Sequence, residues 1–201
     1  MNDTQTDKLF TLIVSGFLMA CLVTATITWP QPALAHKGHA GSMLSFIKVK
    51  QALRGVLPAG AKVVKRKELL DETAAASVKK DFGLEPDSEL YVYYLASDKA
   101  SGQRLGSAIV TTASYRHGNI SVVIGLDNDL RITQAALQGI NEKYVVDFEH
   151  SVGKGFIPDY TGLSIKELIA KADELASADK PTRDFAAAVR DAALVLVALQ
   201  D

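Results

Sequence analysis

Cysteine is nearly absent from the 201-residue chain, with Cys21 its only representative. One thiol forms no intramolecular disulfide, and no Cys-based zinc or iron-sulfur site can be built from this chain alone. A surplus of charge is also missing, since 22 Lys and Arg face 23 Asp and Glu for a net charge of -1. Tight binding to a phosphate backbone draws on a basic excess, so no nucleic-acid partner is expected. Charged residues make up 22% and hydrophobic residues 48%, which excludes a charge-rich disordered chain and supplies material for one ordinary core. Signatures of hydrolysis and nucleotide chemistry are lacking too: there is no nucleophile elbow, Walker loop, Rossmann glycine pattern, HExxH pair or EF-hand loop.

One long apolar run is present. It follows Lys8, extends from Leu9 to Trp29, and is ended by Pro30, Pro32 and the small-residue triplet Ala33-Leu34-Ala35. This order reads as an export signal with cleavage after Ala35, so residues 1–35 are assigned to a signal peptide and the remainder to the periplasm or another extracytoplasmic space. The run is also long enough to span a bilayer, and a retained membrane anchor is the alternative reading. Residues 36–42 then form a flexible tail carrying His36 and His39, and residues 43–201 form the domain.

Helical spacing of Phe46, Val49, Leu53 and Val56 predicts a helix over about 43–57, stopped by Pro58 and Gly60. Val63-Val64 reads as a short β-branched stretch flanked by Lys62 and Lys65 to Lys67, a basic cluster expected as a solvated edge rather than a binding patch. A second helix carries Leu70, Ala74, Val78 and Phe82 on one face, with Gly83 as its left-handed C-terminal residue. Strands follow at Leu90–Ala96, Arg104–Thr112, Ile120–Leu126 and Leu130–Ile132, joined by short turns as an antiparallel meander. Ser164 and Glu167 make a capping box, and a last helix after Pro181 places Phe185, Val189, Ala193, Leu196 and Leu199 on one stripe. The expected fold is therefore α+β: a four-stranded antiparallel meander with N- and C-terminal helices packed on it. Val122, Ile124, Leu168, Phe185, Val189 and Leu196 are the expected core.

Three places offer binding chemistry. If the chain begins at His36, the terminal amine, that imidazole and the imidazole of His39 form a nitrogen set suited to square-planar copper; a polar tail with two unligated histidines is the plainer reading. Gly153-Lys154-Gly155 allows close backbone approach and brings one cation toward a phosphate, although a plain turn needs the same residues. Ser177 to Thr182 opens the final helix, whose free N–H groups form a natural anion seat unless Asp179 or Thr182 caps them.

Together, the order from Leu90 to Leu199 resembles the FMN-binding domain family of periplasmic flavin subunits in Rnf-type and sodium-pumping quinone reductase complexes, and of small exported relatives. The resemblance rests on the strand-turn-strand ISVVIGLDNDLRIT, on Glu142 and Tyr144 after it, on Gly153 to Asp159, and on the closing helix FAAAVRDAALVLVAL. It covers about 110 residues as a pattern without one diagnostic motif. Many members carry Ser-Gly-Ala-Thr-x-Thr before the last helix, with the final Thr esterified to the FMN phosphate. The corresponding stretch here keeps Ser177 and Thr182 but has Ala178, Asp179 and Pro181 between them. The resemblance implies an electron carrier or redox accessory to a membrane-bound or periplasmic partner. Its cofactor would be FMN, held by Glu142, Tyr144, Gly153, Lys154, Gly155, Ser177 and Thr182, and the altered motif predicts non-covalent binding. A binding or interaction module of the same fold without flavin, handling copper through His36 and His39, is the alternative.

Overall fold

Four long strands build the centre of the molecule, the last of them running from Ile132 to Asn141 rather than over the expected Leu130–Ile132, because Leu130 takes left-handed backbone in the preceding turn. In the computed structural model, which describes residues 40–87 and 89–200, they are β3 (Leu90–Ser97), β4 (Arg104–Tyr115), β5 (Gly118–Asp127) and β6 (Ile132–Asn141). Three further strands join them: β1 (Met43–Ser45), β2 (Lys62–Leu69) and β7 (Gly155–Ile157). The sheet is antiparallel throughout, in the order β1-β6-β5-β4-β3-β2, with β7 also pairing on β6. The expected α+β class holds, but the sheet has seven strands among the described residues rather than four.

The added strands have physical reasons that short-range patterning does not carry. Residues 43–45, expected as the start of a helix, pair instead with residues 139–141 almost a hundred positions away. Helix α1 begins only at Val49 and ends at Val56. The chain is turned between the two by Gln138, whose buried amide donates to Ser45 Oγ at 3.1 Å and to the Ile47 carbonyl at 2.9 Å. The Val63-Val64 stretch grows into eight residues because every position from Lys62 to Leu69 pairs with β3. Residues 40–42 are also tied down: Asn141 Nδ2 donates to the Gly41 carbonyl at 2.7 Å, and Ala40 is buried.

Helices cover the two sheet faces unequally. On one face lie α2 (Glu72–Phe82), the short α3 (Val145–Glu149), α4 (Ile165–Glu174) and α5 (Lys180–Ala198). The side chains of Val122, Ile124, Leu168, Phe185, Val189 and Leu196, all expected in the core, are at most 1% exposed there. Helix α5 is buried on every side from Ala192 to Ala198, which is wider than the single stripe expected. On the other face α1 lies over the small residues Ala96, Ala108 and Ala136 together with Val123. No helix among the described residues is long and apolar enough to cross a membrane.

Candidate functional site

The capping and turn residues singled out in the sequence have local partners. Asp179 is the N-cap of α5: its carboxylate accepts from the Thr182 N–H at 3.2 Å and from the Thr182 hydroxyl at 2.8 Å. Those bonds hold the Asp179 carboxyl below the usual carboxylate range, the Thr182 backbone bond contributing most. An anion therefore already sits at the end of the helix where a flavin phosphate was expected. Thr182 lines a cavity of about 150 Å³ with Ser151, Asp159, Tyr160, Lys171 and Phe185. Burial, and secondarily Asp159, pushes the Tyr160 phenol up to about 12, so it stays a neutral donor at neutral pH.

Ser151 and Val152, which immediately precede Gly153, line the same cavity as Thr182, so the start of that loop adjoins the Thr182 corner, while the other expected ligands have the following partners and surroundings. Lys154 pairs with Glu149 and lies 5.2 Å from the Phe46 ring centre. Gly153 and Gly155 both take left-handed backbone, at φ 89° and 77°, which meets the expectation of glycine-dependent turns, and Gly155 starts β7. Ser177 is exposed in a short turn after α4. Glu142 begins the turn after β6 and lies against Gly41. Tyr144 is buried edge-on against Tyr115, with ring centres 5.3 Å apart. Tyr115 in turn donates to Asp147 at 2.9 Å, and Arg116 stands 3.3 Å from the same carboxylate oxygen. This aromatic and ionic knot joins the β4–β5 hairpin to α3. His36 and His39 lie outside the described residues, and no group of three or more His, Cys, Asp or Glu that could hold a metal occurs among the described ones.

A roomier opening lies on the opposite sheet face. A groove of about 770 Å³ runs between α1, the loop 58–61 and the β2–β3 edge. Its walls are Val49, Leu53 and Leu57 from one side and Pro58, Val63 and Tyr94 from the other, with Lys50 and Arg54 as its only charged lining. That volume lies within the range of about 300 to 1,000 Å³ usual for small-molecule sites, whereas the Thr182 cavity lies below it. The apolar residues whose spacing predicted this helix do not share one environment. Val56 and Ala52 pack on the sheet, while Val49 and Leu53 open into the groove. No local pattern marks this, because any amphipathic surface helix carries cations such as Lys50 and Arg54 beside its apolar residues.

A third cavity, of about 470 Å³, lies between the α2–β3 loop, β4 and α5. Glu85, Asp87, Glu89 and Asp191 line it against Arg190, whose guanidinium is paired with Asp191 at 2.8 Å. The surplus of carboxylates there repels a phosphate-bearing ligand. Both histidines in the described region, His117 and His150, are exposed. No known family, characterised protein or solved structure matches the chain.

Proposed function

We propose that the chain is an exported ligand-carrying domain that holds FMN without a covalent bond and serves as an electron carrier or redox accessory to a membrane-bound or periplasmic partner. The sequence resemblance from Leu90 to Leu199 suggests the flavin, and the volume and lining of the groove over α1 support a location there, away from the ligand residues that the resemblance implies. An apolar slot with an aromatic wall at Tyr94 and two cations without a carboxylate suits a flat ring system ending in a phosphate. Lys50 and Arg54 would hold the phosphate, and Tyr94, Leu53 and Leu57 would shelter the ring. When bound, the isoalloxazine supplies the electron chemistry, and the protein contributes its position and potential. Non-covalent binding is supported by the Thr182 hydroxyl, which is engaged by Asp179.

Fluorescence titration of the purified protein with FMN tests this directly. Quenching of flavin emission is expected, together with release of all yellow colour on denaturation and at least tenfold weaker binding in Lys50→Glu/Arg54→Glu, a loss of about 1.4 kcal/mol. Absence of binding would remove the flavin reading. Binding that survives the double variant but is lost in Thr182→Val would move the ligand to the Thr182 corner.

A further inference from the structure

The edge strand β2 is unusual for its exposure and charge. Seven of its eight residues are exposed and only Val64 is half-buried, while its pairing with β3 runs the full length without a bulge. Among the described residues no strand lies along its outer side. The backbone N–H and C=O groups on that side form a row open to another extended chain. Four of the eight side chains are cations and one is an anion, so the edge is strongly basic in a protein that is nearly neutral as a whole.

The register assigns those charges to faces. Directly opposite residues share a face, so Lys65 lies with Tyr94 and Lys67 with Val92 on the groove side, along with Val63 and Ala96. Arg66 lies on the other side with Tyr93, whose hydroxyl is bonded to Glu68 at 2.8 Å. An added strand thus meets cations on both faces at three consecutive positions, Lys65 to Lys67. Two positions from Lys65 on the groove side it meets Val63, which is 46% exposed.

We propose that β2 is a docking edge for an extended acidic segment of a partner protein, which adds an eighth strand to the sheet. Backbone pairing would supply affinity, and carboxylates opposite Lys65, Arg66 and Lys67 would supply specificity. A second copy of this chain is disfavoured as the occupant, because pairing β2 with itself sets its basic cluster against another. This proposal is independent of flavin binding.

The probe is the acetylated and amidated peptide Thr-Glu-Glu-Glu-Thr-Val-Glu, which in antiparallel register places three Glu opposite Lys67, Arg66 and Lys65, and Val opposite Val63. Hydrogen exchange of the full chain should show new protection confined to residues 62–69, weakening as salt is raised. The same peptide with every backbone nitrogen methylated keeps its charge but has no backbone N–H to donate to a strand, and it should protect nothing. Lys65→Glu/Arg66→Glu/Lys67→Glu, all exposed positions, should lose the peptide at least tenfold and gain affinity for its Lys counterpart. Equal binding of the methylated peptide would reduce the interaction to diffuse charge and overturn the proposal. So would protection of β2 only by phosphatidylglycerol vesicles, which would assign the cations to a membrane surface, or by raising the concentration of the protein itself.

Discussion

Tyr115 is the residue on which one end of the molecule is organised. It is fully buried, packs edge-on against Tyr144 and Phe148 with ring centres 5.3 and 4.9 Å away, and its hydroxyl reaches Asp147. Tyr115→Phe keeps the ring packing and removes only the hydroxyl, so urea denaturation should show a loss of about 1 kcal/mol. The carboxylates that organise turns and caps have a different signature. Asp98 accepts from Ser101, Glu167 from Ser164, and Asp179 from Thr182, and each is held below the usual carboxylate range mainly by those bonds. A carboxyl lowered in the folded state contributes stability that is complete above its unfolded pKa and is lost as pH falls through the folded value. The stability of the protein should therefore decline on acidification below about pH 4, and Glu167→Gln/Asp179→Asn should flatten that part of the profile.

At the scale of elements, α1 depends on a seat of small residues. A Cβ on Gly125 would run into the Val56 carbonyl oxygen and the Thr133 hydroxyl, so the helix end rests directly on the β5 backbone. Gly125→Val should push α1 off the sheet at a cost of about 1 to 3 kcal/mol. Faster amide exchange across Val49–Val56, with α5 unchanged, checks it. This seat also marks where sequence reading stops. Strands β3 to β5 were legible because aromatic and β-branched runs end in turn residues, and the Ser164 capping box and the Gly83 helix end were legible because both signals are local. Strand β2 was not, because its cations hide the alternation and only pairing with β3 makes it a strand. Asp179 was readable as a cap, but the groove was not, since α1, the loop 58–61, β2 and β3 contribute to it from separate parts of the chain.

For the whole molecule, the decisive feature is the position of α5, which lies between the sheet and its helical neighbours α2 and α4 and is almost wholly enclosed from Ala192 to Ala198. It follows every described strand in the sequence, yet Val122, Ile124 and Leu126 belong to the same core as its side chains. Residues up to 179 include every described strand and four of the five described helices, but not α5, which covers much of the larger apolar sheet face. A chain ending at residue 179 should accordingly be digested rapidly by protease while the full chain resists, and adding residues 180–200 as a separate peptide should restore some resistance. The larger core is thus completed by one insertion: it closes only when α5 is seated against the sheet.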